Sequence, residues 1–256
     1  MMELEICVDS VESAIAADEG GAQRVELCSA LSEGGLTPSL GMLCAVRAAV
    51  KLGVYVMIRP RGGDFLYSKS EYAIMLDDIA RVAECGADGV VFGLLTTHGE
   101  VDVESTARLV EAARPMEVTV HRAVDMSRDL NAAMEGAIQA GAHRILTSGA
   151  APTALQGSAQ ISGLIRRAAG RIGVMVGGNV RPRNLAQLVA ATGASQFHTA
   201  LRTSVASPME FRNPKLHLGN SGNAEYMRYQ VLAHDVQHLR GAMDALTVSG
   251  SIASRT

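Results

Sequence analysis

The stretch RVELCSALSEGGLTPS, residues 24–39, combines a strand pattern with a glycine-rich loop and decides the fold. Because side chains alternate along an extended chain, its apolar residues face one side while Glu26 and Cys28 face the other. The first strand, ELEICVD, repeats the pattern with Glu5 and Cys7. If these strands pair in parallel, about 4.8 Å apart, they bring two carboxylates and two thiols into one small volume.

Outside this stretch, short β-branched runs alternate with alanine-rich runs of helical length. The predicted strands are residues 3–9, 24–28, 54–61, 87–95, 116–125, 144–149, 172–179 and 194–200. The predicted helices are residues 10–19, 38–51, 70–84, 103–113, 130–139, 154–169, 183–191 and 225–246. Strands that alternate with helices pair in parallel, and eight such units close a barrel. The pattern therefore predicts an α/β fold, a single (β/α)8 TIM-type barrel. A doubly wound sheet is the alternative, but its G-x-G-x-x-G turn is absent.

Length and composition fit one such domain. A chain of 256 residues with 48% hydrophobic content is typical of one barrel. We expect the barrel to span residues 1–247, and residues 248–256, which are small and polar, to fray. The long polar connection at residues 202–223 predicts a lid or an interface segment.

Charge and cysteine usage exclude several classes of function. The net charge is −3 and there is no basic run to neutralise phosphates, so nucleic acid is not an expected partner. No apolar run approaches the roughly 20 residues that span a bilayer, and the first residues do not resemble a signal peptide. We therefore expect a cytoplasmic protein without a membrane partner. Its four cysteines lack regular spacing and are expected to be free thiols, with Cys44 and Cys85 as packing residues on helices.

The side of the strands that should face the barrel interior is unusually polar. The expected inward set is Glu5, Cys7, Glu26, Cys28, Arg59, Arg61, Thr119, His121, Thr147, Gln196 and His198. Barrel interiors are normally filled by branched apolar residues, so this polarity indicates a functional site. Because a lone buried charge is costly, we expect the carboxylates to pair with Arg59 or Arg61.

Several motifs resemble those of the CutC family of copper homeostasis proteins. LEICVDS, RVELCSALSEGGLTPS, IRPRGGDFLYS, VTVHRAVDM, RILTSGA and SPMEFRN occur in the family's order from residue 4 to about residue 213. The resemblance implies a TIM-type barrel, a cytoplasmic, self-associating protein and a role in copper tolerance or trafficking. The family's copper-binding cysteines match Cys7 and Cys28. Cu(I) is soft and prefers such thiolates, although a free cysteine is more often a small buried hydrophobe.

The charged residues support a second hypothesis, an enzyme acting on a small phosphorylated or carboxylated metabolite. In this hypothesis Arg59 and Arg61 clamp the anion, and His121 exchanges protons with Glu26 or Glu5. The other expected ligand contacts are Glu5, Arg61, Asp64, Thr147, Gly177, Gly178 and His198. The glycine pair follows the seventh strand, where many barrels bind phosphate.

Each of these features also has a structural interpretation. The arginines could form an ion network with the carboxylates, the glycine pair could be a tight turn, and His121 and His198 could be satisfied interior histidines. Schiff-base chemistry is not expected, because the chain has only three lysines and none lies on a strand.

Overall fold

Eight parallel strands form a closed barrel in the computed structural model, which describes residues 2–213, 215 and 226–253, with side chains through residue 247. The barrel strands are β1 (Glu3–Val8), β2 (Arg24–Leu27), β3 (Gly53–Met57), β4 (Gly89–Phe92), β5 (Glu117–Val120), β6 (Arg144–Thr147), β7 (Gly173–Val176) and β8 (Gln196–Thr199). Each strand pairs with the next, and β8 pairs with β1. The predicted (β/α)8 architecture is confirmed.

The helices surround the barrel, and all but the sixth and the last begin within two residues of their predicted starts. They are α1 (Val11–Glu19), α2 (Leu40–Ala49), α3 (Lys69–Glu84), α4 (Val103–Ala113), α5 (Leu130–Gln139), α6 (Ser158–Ala168), α7 (Pro182–Thr192) and α8 (Ala233–Ala253). Ser10 and Ser39 cap α1 and α2 by accepting hydrogen bonds from the backbone amides of Ser13 and Met42. Within the described residues, no helix is both long and apolar enough to cross a membrane.

The outward face of the strands carries the main apolar core. Fully buried residues such as Val25, Val54, Val118 and Phe197 pack under the helices in one continuous cluster. The inward face is different. It contains a separate small cluster of Cys7, Cys28, Tyr55, Met57 and Val91 among buried charged groups. The outward face of the strands therefore carries the apolar core and the inward face carries the polar groups, as the alternation predicted.

Several predicted strands extend too far at their carboxyl ends. β3 ends at Met57, although the prediction continued it to residue 61, and β5 ends at Val120 rather than residue 125. The chain then leaves the ladder, and Arg122–Met126 forms a short 3-10 helix. Side chains alternate only along a strand, so the pattern says nothing about residues beyond these ends. The prediction that Arg61 faces inward is wrong for this reason.

The connection after β8 contains an antiparallel pair of strands that the sequence did not reveal. β9 (Arg202–Ala206) pairs with β10 (Met227–Val231). The last helix was predicted to begin at residue 225 and to end at 246, but α8 begins only at Ala233 and continues to Ala253. The helix therefore passes residue 247, and residues 254–256 of the expected frayed tail lie outside the described residues. The domain boundary and the lid or interface role of residues 202–223 stay predictions.

Candidate metal centre

Two buried thiols lie together at the carboxyl ends of the first two strands. Cys7 is on β1, and Cys28 follows β2 directly, its amide still donating to Val8 in the ladder. Their Sγ atoms are 3.9 Å apart, and the residues are only 5% and 1% exposed. The loop at Gly35 closes over them: a Cβ there would lie 3.0 Å from the Cys28 Sγ. The predicted proximity of the two thiols is confirmed.

A buried ion network holds the neighbouring histidine in place. His198 Nδ1 lies 2.7 Å from Glu5 Oε1, and Arg24 Nε donates to Glu5 Oε2 at 2.7 Å. Burial raises the pKa of Glu5, but the hydrogen bond from His198 and the charge of Arg24 outweigh it and lower that pKa to about 2. Glu5 is therefore a fixed carboxylate that leaves the Nε2 atom of His198 free to face the thiols.

His198, Cys7 and Glu26 form a compact set of polar groups. One ring nitrogen, the Sγ atom and a carboxylate oxygen all lie within 4.8 Å of one another, and His198 Nε2 is 3.9 Å from Glu26 Oε2. Burial lowers the pKa of His198, but Glu26, Cys7 and Glu5 together raise it well above its usual value. Burial and the charge on Cys7 raise the pKa of Glu26. The protein therefore places a charged imidazole beside a carboxyl group that resists ionisation.

The two thiols are not equivalent. A hydrogen bond from Cys28 to the Cys7 thiolate outweighs burial and lowers the pKa of Cys7 to about 5, with His198 contributing further. The same hydrogen bond, together with burial, raises the pKa of Cys28 well above its usual value. The surroundings therefore favour ionisation of Cys7 over Cys28, and either a soft metal or an electrophile could react with a Cys7 thiolate.

A cavity of about 200 Å³ opens beside the thiols. Its walls combine the centre with residues from the loops at the carboxyl ends of the strands: Cys7, Glu26, Leu31, Gly34, Met57, Arg59, Phe65, His121, Arg122, Leu146, His198, Ala200 and Arg202. Met57, which could supply a thioether to a soft metal, lines the cavity.

Backbone strain concentrates at this end of the barrel. Ala30, Ala150, Asn179 and Leu201 follow β2, β6, β7 and β8, and each has a positive φ between 42° and 63°. Residues other than glycine adopt this conformation only when the surrounding structure enforces it. Leu201 lies between Ala200 and Arg202, so its strained turn places both neighbours on the cavity wall.

The expected ion pairs of Arg59 and Arg61 with the interior carboxylates do not form. Arg59 lines the cavity, but its Nη atoms donate to the backbone carbonyls of Glu33, Gly35 and Gly63. Arg24, at the start of β2, pairs with Glu5 instead. Extending the alternation of RVELC back by two residues from Glu26 would have identified Arg24 as inward.

The predicted proton exchange between His121 and Glu26 or Glu5 is not supported by the geometry. His121 lines the cavity, but its Nδ1 accepts from the Ala123 amide and no hydrogen bond joins it to either carboxylate among the described residues. Burial and the Arg59 charge lower its pKa to about 3. His198, which we expected only to contact a ligand or to be structural, is the histidine held by a carboxylate.

Arg61 and Asp64 lie outside the cavity. Arg61 pairs with Asp64 at 3.0 Å and with Glu71 at 2.7 Å, on the partly exposed loop between β3 and α3. The expectation that Arg61 faces the barrel interior is therefore wrong, because β3 ends before it. A ligand contact by Arg61 or Asp64 stays a prediction.

Thr147 lies on the opposite face from the one predicted. Its neighbour Leu146 lines the cavity, while the Thr147 hydroxyl donates to Asp125 and accepts from the Gly149 amide. The expected inward register of β6 was wrong by one residue, and Arg144 is the charged residue that enters the interior, where it contacts Thr119 and Gln196.

The glycine pair after β7 does not offer two free amides for a phosphate. The Gly177 amide donates to the Thr147 carbonyl at 2.9 Å and so belongs to the sheet ladder. Gly178 has a φ of +101°, and its carbonyl accepts from Ala154. The tight-turn interpretation fits these contacts better than a phosphate cradle.

The interior near the amino ends of the strands contains a second polar cluster that the sequence did not reveal. Tyr55 lies between the guanidinium groups of Arg24 and Arg144, and its hydroxyl donates to Glu117 at 2.7 Å. Burial and this hydrogen bond raise the pKa of Tyr55 to about 12. The cluster closes the interior below the thiols. A tyrosine between apolar strand residues gave the only sequence signal for it.

The fold and the site together define a TIM-type barrel with a dithiol centre inside its polar mouth. The CutC family matches residues 2–203, and the chain belongs to this family. It is 48% identical to a human protein named copper homeostasis protein cutC homolog, and the alignment covers 93% of this chain and 86% of that protein. It is also 48% identical to a CutC family protein of Chromobacterium violaceum, with 94% of this chain and 98% of that protein covered. A solved CutC structure from Streptococcus agalactiae superimposes with a TM-score of 0.73 at 32% identity, covering 77% of this chain and 98% of that one.

Proposed function

We propose that this protein acts in copper homeostasis by binding Cu(I) between Cys7 and Cys28. The observation that carries the proposal is the 3.9 Å separation of two buried sulfur atoms, and the lowered pKa of Cys7 supports it. Metal–sulfur bonds are about 2.3 Å long, so this separation corresponds to an S–metal–S angle of about 115°. Such an angle leaves room for a third ligand.

His198 is the best candidate for that third ligand. Its Nδ1 is bonded to Glu5, and histidines that bind metals commonly donate their other N–H to a carboxylate. Imidazole also suits copper better than the Glu26 carboxyl group does. Because binding requires a neutral imidazole and two thiolates, Cu(I) uptake should release protons and weaken in acid.

An anaerobic titration of the reduced protein against a competing Cu(I) chelator tests this proposal. The Cys7→Ser/Cys28→Ser variant should lose tight binding of one Cu(I). The matched control is Cys44→Ser/Cys85→Ser, which removes the same number of thiols from helix positions outside the barrel. Tight binding retained by the first variant, or lost equally in the control, would contradict the proposal.

A second function, catalysis on a small anionic metabolite, is favoured by the Glu5–His198 contact. A carboxylate that orients a histidine beside a low-pKa thiolate is the arrangement of a nucleophilic site. This function needs Cys7 but not Cys28. A screen for turnover of carboxylated and phosphorylated metabolites, run on the wild type and on Cys28→Ser, separates the two. Turnover that survives in the variant favours the enzyme, and turnover by neither protein counts against it.

The proposal includes a cytoplasmic, self-associating protein, as the family resemblance implied. Met209, Phe211, Met227 and Tyr229 are exposed on the segment after β8 and supply apolar surface for contact between copies. Sedimentation equilibrium of the purified protein tests this part, and a monomer at micromolar concentration would contradict it.

A further inference from the structure

Among the described residues, two hydrogen-bond donors beside the dithiol have no acceptor. The first belongs to Arg59, which is 6% exposed. Its Nη1 and Nη2 atoms donate to three backbone carbonyls at 2.7 to 3.1 Å, but its Nε is buried without a hydrogen-bond partner in that part of the chain, and so is the hydroxyl of the nearby Tyr67. No carboxylate forms a salt bridge with this guanidinium among the described residues, so its charge is held in place and left uncompensated.

The second donor belongs to His121. Its Nδ1 accepts a hydrogen bond from the Ala123 amide at 3.2 Å, so the ring proton resides on Nε2. Nε2 is buried and has no partner in the described part of the chain. Gly93 keeps the ring in this position, because a Cβ there would lie 2.6 Å from Nδ1. His121 is therefore a fixed, neutral N–H donor on the cavity wall.

Phe65 brings the two donors together. The Arg59 guanidinium carbon lies 5.1 Å from the centre of the Phe65 ring, and the His121 ring centre lies 5.0 Å from it. All three side chains line the same cavity as Cys7. Unpaired buried donors are costly, and an anion with two acceptor oxygens would satisfy both at once.

The charge of the cavity also favours an anion over a bare cation. Three arginines line it, Arg59, Arg122 and Arg202, against the single lining carboxyl group of Glu26. Arg122 is paired with Asp125 at 2.7 Å, whereas Arg59 and Arg202 have no salt-bridge partner among the described residues. Arg202 also lines a neighbouring cavity of about 390 Å³, whose wall includes Arg181, Arg183 and one carboxylate, Asp235. Positive walls repel a free cuprous ion and attract a negatively charged complex.

We infer that Arg59 Nε and His121 Nε2 form a carboxylate-binding subsite, and that copper enters as an anionic Cu(I) complex of a small carboxylate-bearing thiol. The identity of the cargo rests on the proposed function, whereas the subsite itself does not. Transfer is a ligand exchange without redox change: two bonds from copper to the carrier's sulfur atoms break, and bonds to Cys7 and Cys28 form. The Cys28 proton leaves with one departing carrier thiolate.

The subsite is tested without metal or thiol, by calorimetry with S-methylglutathione on the apoprotein. We expect measurable binding that falls at least tenfold in Arg59→Gln and in His121→Phe. The second variant keeps the carbonyl contacts of Arg59 and therefore the loop. Arg61→Gln, outside the cavity, is the matched control and should bind as the wild type does. No binding to the wild type, or equal weakening in Arg61→Gln, would overturn the subsite.

The cargo is tested by comparing two sources of copper. Stopped-flow transfer from Cu(I)–glutathione should slow at least tenfold in His121→Phe, whereas uptake from Cu(I) in acetonitrile should not change. Equal rates from both sources in every protein would overturn the anionic cargo and leave the copper function intact. If the wild type binds S-methylglutathione but no Cu(I), the copper function and its cargo fail while the subsite stands.

Discussion

The His198 ring lies with Nδ1 2.7 Å from the carboxylate of Glu5, across the seam where β8 meets β1 and closes the barrel. The same contact fixes the ring that faces Cys7 and anchors the last strand to the first. Because the contacts with His198 and Arg24 lower the pKa of the buried Glu5, its charge contributes to the stability of the fold as well as to the geometry of the centre.

Acid should weaken the fold through Glu5. Its pKa is about 2 in the folded protein against 4.5 for the free group, so the folded state binds this proton less readily than the unfolded state does. The stabilisation is complete above pH 4.5 and is lost as the pH falls towards 2, amounting to about 3 kcal/mol. Urea unfolding at pH 7, 4 and 3 measures this loss of stabilisation. The difference in unfolding free energy between the wild type and Glu5→Gln should shrink over this range; a constant difference would contradict the assignment.

Removing Arg24 should be far more damaging than removing a surface arginine. Arg24→Gln removes the guanidinium from the buried carboxylate of Glu5 and leaves only His198 beside it, and we expect a loss of about 3 to 5 kcal/mol in unfolding free energy at pH 7. Arg61→Gln breaks two pairs with exposed or partly exposed carboxylates and should cost less than about 1 kcal/mol. Equal losses in the two variants would show that the Arg24–Glu5 pair is not a buried ion pair in solution.

Alternation along the strands predicted the fold and the meeting of Cys7 with Cys28, because neighbouring parallel strands bring equivalent positions together. It could not predict Arg61, because the point at which β3 leaves the ladder depends on tertiary contacts. It also could not distinguish His121 from His198. Both side chains line the same cavity. The closure of the barrel pairs Glu5 with His198, and this pairing decides which histidine contacts a carboxylate.

Gly93→Ala should disturb His121 and spare the dithiol. The new Cβ would lie 2.6 Å from the His121 Nδ1 and 2.8 Å from the Ala123 Cβ, so the ring must move. We expect a loss of about 1 to 3 kcal/mol in stability and weaker binding of S-methylglutathione, with Cu(I) affinity unchanged. Gly163→Ala is the control, since nothing lies within 4 Å of its new Cβ on α6, and it should gain about 1 kcal/mol. Unchanged anion binding in Gly93→Ala would contradict a fixed His121 donor.

The outer thiol pair should oxidise before the inner one. Cys44 on α2 and Cys85 at the end of α3 have Sγ atoms 2.9 Å apart, and Cys44 is exposed. Closing this gap to a bond of about 2.05 Å needs less than half the movement that the 3.9 Å gap between Cys7 and Cys28 needs. The hydrogen bond to Cys44 raises the pKa of Cys85, which favours Cys44 as the attacking thiolate.

Glutathione disulfide is a suitable oxidant for this reaction. Cys44 attacks one of its sulfur atoms and releases one glutathione, and Cys85 then attacks the mixed disulfide and releases the second, so both electrons reduce the glutathione disulfide. After alkylation and digestion, mass spectrometry should find the two peptides linked and short of two hydrogen atoms, with Cys7 and Cys28 alkylated only after unfolding. Cys85→Ser should instead stop at the mixed disulfide on Cys44. A linked Cys7–Cys28 peptide that appears first would show that burial does not protect this inner pair.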